Sequence, residues 1–216
     1  MADKVLKYEG EDVIVAYNVR RCIHMAECVH GLPAVFDPER RPWVRPDEAA
    51  ADPLTEVVTR CPTGALQFTR KDGGPEEAVP DQNTVTVDPD GPLFVRGDIE
   101  IVMPDGSVLL RETRVALCRC GASNNKPFCD NSHGNIDFQD SGVFREVRVK
   151  SEKEGEDGLL RVRPSRNGPL LVQGPLDLIG AEERVRGSQA ALCRCGASSN
   201  KPFCDGTHNT IGFTSE

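Results

Sequence analysis

Aromatic side chains are scarce in this chain: they make up 5% of its 216 residues, with one tryptophan and two tyrosines. With hydrophobic residues at only 38%, apolar surface is thin for a chain that must bury separate cores, and chains of this length tend to divide into smaller units. Two or three small domains are expected, of a size that usually needs a crosslink or a metal to hold together. Long apolar runs are also missing. No stretch approaches the ~18 residues of a membrane helix, and the opening MADKVLKYEGED lacks the basic start and apolar run of a secretory leader. Positive charge is in deficit as well. A net charge of -8 repels nucleic acid and anionic membranes and favours partners with basic surfaces. The sequence contains no glycine-rich phosphate loop, nucleophile elbow or paired-carboxylate motif, so no catalytic residue and no enzyme activity are expected.

What the chain does have is nine cysteines in three groups of three: Cys22, Cys28 and Cys61; Cys118, Cys120 and Cys129; Cys193, Cys195 and Cys204. The expected compartment is a reducing cytoplasm, where clustered cysteines act as metal ligands or redox groups. Groups of three also argue against simple disulfide pairing.

Self-similarity sets the organisation. ALCRCGASNNKPFCDNSHGNIDF at 116–138 recurs as ALCRCGASSNKPFCDGTHNTIGF at 191–213, an offset of 75. Upstream, GPLFVRGDIEI at 91–101 recurs as GPLLVQGPLDL at 168–178, an offset of 77. A module with short alternating strands ahead of a cysteine-rich loop has therefore been duplicated. Residues 1–70 stand outside the repeat. There VIVAYNV and ALQFT read as strands, and DEAADPLTEVVTR as a short helix. The expected architecture is α+β: a small first domain over 1–70, a Gly/Pro-rich linker at 71–83, and two β-rich modules at 84–150 and 151–216. The acidic run SEKEGEDG at 151–158 marks the joint between the modules.

Each repeat spells Cys-x-Cys, eight residues, a third Cys, three residues and a His. Three thiolates and one imidazole suit either zinc or an iron-sulfur cluster. Structural zinc sites usually open with Cys-x2-4-Cys, so the tighter Cys-x-Cys leans toward a cluster. CRCGASSNKPFCDGTH and CRCGASNNKPFCDNSH resemble the CDGSH-type, or NEET, iron-sulfur motif, over roughly residues 84 to 214. The resemblance implies a 2Fe-2S cluster on Cys118, Cys120, Cys129 and His133, and a second on Cys193, Cys195, Cys204 and His208. It further implies two modules about a pseudo-twofold axis, here within one monomeric chain. Asn131 departs from the motif where the second copy has Gly206. Asn is the non-glycine residue that best tolerates left-handed backbone, so the turn is expected to survive.

The first domain reads RCIHMAECVHGLPAVFDPERRPWV and later RCPTGAL. Two cysteines five residues apart and a third followed by proline resemble a divergent single-cluster ferredoxin domain over about residues 4 to 70. The resemblance implies ligation by Cys22, Cys28 and Cys61. A 3Fe-4S cluster, which needs only three cysteines, is expected there, with His24 as a fourth ligand for 4Fe-4S as the alternative. The position midway between Cys22 and Cys28 is Met25, a poor iron ligand here. His30 fits no ligand pattern.

Electron transfer is the leading function, with redox proteins as partners. Cluster storage or transfer to apo iron-sulfur acceptors, or redox sensing, is the alternative. A zinc-stabilised interaction module and a thiol oxidoreductase using Cys193 and Cys195 rank lower.

Overall fold

A computed structural model describes residues 4–151 and 158–215. The chain forms two compact units, residues 1–78 and 79–216. The acidic run read as the joint between repeats falls almost wholly outside the described residues.

The first unit is a three-stranded antiparallel sheet in chain order, with β1 (Val5–Glu9) and β2 (Val13–Asn18) followed by α1 (Glu27–Gly31), α2 (Ala51–Thr59) and β3 (Leu66–Arg70). The strands at β2 and β3 and the helix at α2 match the sequence pattern. β1 went unread because its burial is shallow and alternates between exposed and half-buried positions. On α2, Leu54, Val57 and Val58 lie on one face, at the three- and four-residue spacing of an amphipathic helix. They pack with Val13, Val15, Phe36 and Leu66.

The second unit holds β4 (Thr84–Val87), β5 (Leu93–Val102), β6 (Val108–Leu117), β7 (Val149–Lys150), β8 (Leu160–Pro164), β9 (Leu170–Ile179), β10 (Arg184–Leu192) and the short α3 (Thr207–Thr210). Its seven strands share one sheet. β5 and β8 alternate buried and outward positions, as one-sided strands should.

The two repeats exchange strands. β4 pairs antiparallel with β5 of its own repeat and parallel with β9 of the other, while β8 pairs antiparallel with β9 and parallel with β5. The registers correspond: Thr84 faces Arg96 and Asp177, and Arg161, 77 residues on, faces Gln173 and Glu100. One continuous core, including Val85, Ile99, Leu160 and Leu178, lies beneath both repeats.

Asp177 is a buried carboxylate in this sheet. Its oxygens accept from Arg184 Nε at 2.8 and 2.9 Å, with Arg186 Nε at 3.4 Å, and its backbone N–H donates to Asn83 O. The Arg184 hydrogen bonds hold its pKa below the usual carboxylate range. A depressed folded pKa gives stability that is present above the unfolded value and is lost as pH falls through the folded one. Asp177→Asn is therefore expected to cost about 1–2 kcal/mol at neutral pH, a modest figure because both arginines are half exposed. Urea unfolding at pH 7 and below pH 3 checks this: the gap between variant and parent should close in acid, and a gap unchanged with pH would refute it.

Candidate metal centres

Each cysteine-rich loop is a strand that runs out and doubles back on itself. After β6, Cys118 N donates to Pro127 O at 2.9 Å and Cys129 N to Ala116 O at 2.9 Å. In the second repeat Cys193 N donates to Pro202 O at 2.7 Å and Cys204 N to Ala191 O at 2.8 Å. Phe128 and Phe203 anchor the returning arms in the core. The loops are also stapled from within. Ser123 Oγ donates to Phe128 O and Ser198 Oγ to Phe203 O, both at 2.7 Å, and each hydroxyl accepts from the N–H two residues on.

Asp130 accepts from the backbone N–H groups of Asn124 and Ser132, and Asp205 from those of Ser199 and Thr207. Burial alone would raise both carboxyl pKa values, but these bonds pull them below the usual range. Both aspartates therefore fix the backbone between the third cysteine and the histidine. Asn131 takes the left-handed conformation at φ 70°, and Gly206 does the same at 92°.

These turns gather the donors in pairs. Cys118 and Cys120 bring their sulfurs to 3.8 Å, and Cys193 and Cys195 to 3.7 Å. Cys129 Sγ lies 3.5 Å from His133 Nδ1, and Cys204 Sγ 3.4 Å from His208 Nδ1. With bonds of about 2.3 Å to sulfur and 2.0–2.1 Å to nitrogen, two tetrahedral ligands of one metal sit about 3.8 Å apart for two sulfurs and about 3.5 Å for sulfur and nitrogen. Each pair fits one metal. Among the described residues no three His, Cys, Asp or Glu side chains converge on a single ion.

The electrostatics suit a cation. In each Cys-x-Cys pair a hydrogen bond from one thiol stabilises its neighbour as thiolate, bringing Cys118 and Cys195 down to about 6. Burial pushes Cys129 up to about 12 and Cys204 upward, and it lowers His133. Thiolate is the metal-binding form, and neutral imidazole is the ligating state of histidine.

In the first unit Cys22 follows a single 3-10 turn, Cys28 lies in α1, and Cys61 lies two residues after the end of α2. All three line one cavity of about 850 Å³, together with Tyr17, Trp43 and His24. His24 (φ 59°) and Ala26 (φ 62°) are left-handed without being glycine. Such strain concentrates at functional sites, and turns of this kind aim backbone N–H groups at anions, Fe–S sites included. His24 and Met25 are exposed, and His30 is exposed and absent from the cavity wall. Arg21, buried, donates to Thr63 O at 2.6 Å and so fixes the turn after Cys61. Burial pushes Cys28 up to about 11. Sequence reasoning missed the aromatic wall: Trp43 stacks edge-on against Tyr17 at 4.9 Å and Tyr8 at 6.3 Å. Its three members come from separate strands and a loop, with no periodic signal to link them.

Comparison with known proteins covers the segments that carry these cysteines. Residues 8–71 match the family described as a divergent 4Fe-4S mono-cluster, and residues 90–134 and 167–209 each match the iron-binding zinc finger of CDGSH type. The chain is a tandem CDGSH iron-binding protein with a divergent mono-cluster domain before the tandem. The uncharacterized protein YjdI of Escherichia coli K12 is 38% identical over 64 residues, covering 30% of this chain and 84% of YjdI, and the O157:H7 protein matches equally. No solved structure matches.

The two CDGSH loops meet back to back. A Cβ on Gly121 would lie 2.6 Å from Cys195 O, and one on Gly196 would lie 2.3 Å from Cys120 O. Each module thus rests its glycine against the backbone of a cysteine in the other. Arg119 and Arg194, the residues inside each Cys-x-Cys, are buried. They donate from Nε to Gly91 O and Gly168 O at 3.1 and 3.0 Å. Arg119 also pairs with Asp140 and stacks on Phe138, and Arg194 stacks on Phe213. These basic residues hold the loop interiors against the strand turns at 88–92 and 165–169. Among the described residues no helix is long and apolar enough to cross a membrane.

Proposed function

We propose that this protein is an electron carrier in which each CDGSH module holds one 2Fe-2S cluster through its three cysteines and its histidine. The first unit holds one further cluster. The paired spacing of the donors carries this reading. A lone zinc ion would draw four ligands around one point, whereas two irons take one pair each, as Cys118 with Cys120 and Cys129 with His133 are arranged. Bound clusters supply a reversible one-electron change.

The protein's own residues supply rigidity. Ser123, Asp130, Ser198 and Asp205 lock both loops with hydrogen bonds, and Lys126 and Lys201 donate to the carbonyls of Ser123 and Ser198. Ligands held this firmly favour a centre that stays bound while its charge changes, over one that departs. The correspondence of the β4 and β8 registers supports a pseudo-twofold relation between the modules within a monomer. For the first unit, the matched family's description favours 4Fe-4S, with His24 beside the three cysteines as the fourth ligand; 3Fe-4S on cysteine alone is the alternative. No substrate chemistry is assigned. The expected partners are redox proteins with basic surfaces, in the cytoplasm, since the chain carries a net charge of -8.

Iron, acid-labile sulfide and zinc per chain, measured on anaerobically purified protein, test the reading. About eight irons with eight sulfides are expected for two 2Fe-2S clusters and one 4Fe-4S. About seven irons with eight sulfides would place 3Fe-4S in the first unit. Zinc without sulfide would refute the redox assignment.

A further inference from the structure

The two CDGSH modules share their ligand motif but not their surroundings. The turn that receives Arg119 begins at Asp88, and the turn that receives Arg194 begins at Ser165, 77 residues on. The backbones correspond: Asp88 N donates to Pro92 O and Gly91 N to Asp88 O, as Ser165 N does to Pro169 O and Gly168 N to Ser165 O. In the second module a Cβ on Gly168 would lie 3.1 Å from Ser165 Cβ and 3.6 Å from His208 Nε2, so this turn sits against the ligand histidine. In the first module the carboxylate of Asp88 folds over the equivalent glycine, with Oδ2 2.1 Å from where a Gly91 Cβ would stand. Its charge acts on both His133 and Cys129.

Burial differs in the same sense. Cys118, Cys120 and Cys129 are all buried, whereas in the second loop only Cys193 is, and Cys195 and Cys204 are partly buried. The remaining charges do not restore symmetry. Lys126 and Lys201, and Asp130 and Asp205, are common to both loops. Arg119 is matched by Asp140, which Lys201 also approaches at 3.9 Å. Arg194 has only carbonyl acceptors and no carboxylate partner among the described residues. Arg148, paired with Glu146 at 2.8 Å, adds a guanidinium near Cys204 and Asp205 that has no counterpart at the first loop among the described residues.

We propose that the two CDGSH centres differ in reduction potential, the first being the lower, because Asp88 and deeper burial oppose added negative charge there while Ser165 and exposure do not. The inference rests on the cluster assignment above. Reduction adds one electron to a centre that is already anionic, so a nearby carboxylate and a poorly solvated setting both disfavour it. In a chain carrying one electron across the pair, one centre is reduced and the other oxidised. The electron resides on the second by about ten to one, equivalent to ~59 mV for one electron.

The test is a dithionite titration of the full chain, followed by visible absorbance and electron paramagnetic resonance, on wild type, Asp88→Ser and Ser165→Asp. Iron and sulfide are counted in each sample. Two waves about 59 mV or more apart are expected. Asp88→Ser should raise only the lower wave and Ser165→Asp should lower only the upper, each bringing the pair together. A wave moved by neither substitution belongs to the first unit. Coincident waves in sulfide-loaded wild type would overturn the inference and leave the cluster assignment standing, as would an Asp88→Ser protein whose lower wave stays put. A wild-type chain without sulfide would overturn both.

Discussion

Gly196→Ala is expected to destabilise the second unit by about 2–5 kcal/mol and to deplete iron and sulfide from both CDGSH loops. Two costs add. The residue sits at φ 80°, where an L side chain costs about 1–2 kcal/mol. Its Cβ would also fall 2.3 Å from Cys120 O, and overpacking against backbone costs about 1–3 kcal/mol more. A side-chain tip could rotate away from the clash, but the carbonyl between Cys120 and Gly121 cannot move without moving a ligand. The damage therefore appears in the module that was not mutated. Gly134→Ala is the control, since its Cβ would meet nothing within 4 Å and its φ is not left-handed. Urea unfolding and sulfide counts on the two variants decide the matter, and indistinguishable results would show that the loops do not bear on one another.

Iron removal should separate the two units in stability. The first unit has a core of nine described residues and, beside it, a cavity of about 850 Å³ lined by its three cysteines. The second has nineteen, continuous beneath seven strands. A small core beside a half-open cavity lined by three cysteines has little apolar burial of its own, and binding of iron there acts as folding free energy. Trp43, the chain's single tryptophan, forms part of that cavity's wall, so its fluorescence reports the first unit alone. After anaerobic chelation the Trp43 melting midpoint should fall by about 15 °C or more, while the far-ultraviolet sheet signal of the second unit persists to higher temperature. A Trp43 midpoint that is the same with and without iron would contradict this.

Much of the CDGSH region was legible in the sequence because it is written twice. The pairing of the cysteines and histidine, the αL position at Asn131 and the strands before each loop depend on local spacing, and local spacing survives translation into structure. The strand exchange was not legible. Whether Thr84–Val87 lies beside β5 alone or also beside β9 depends on pairings some ninety residues apart, which leave no local pattern. The same limit applied to Asp88 and Ser165. In the sequence they look like an ordinary turn substitution, and only the fold brings that turn against the histidine side of each loop. In the first unit the Cys-x5-Cys spacing and the Cys-Pro pair were readable, but the left-handed turns at His24 and Ala26 were not, since neither is glycine.

The exchange of β4 and β8 also imposes an order on biosynthesis. Chains emerge from the ribosome amino terminus first at about 5–20 residues per second. By the time His133 is made, every ligand of the first CDGSH loop exists, yet β8, which flanks β5, and the Cys195 carbonyl on which Gly121 rests have not been synthesised. The first module's sheet is therefore completed only once the later half has been made. A ribosome that stalls between residues 134 and 159 is thus expected to leave a nascent chain whose β5 lacks β8 and whose Gly121 lacks the backbone it rests on.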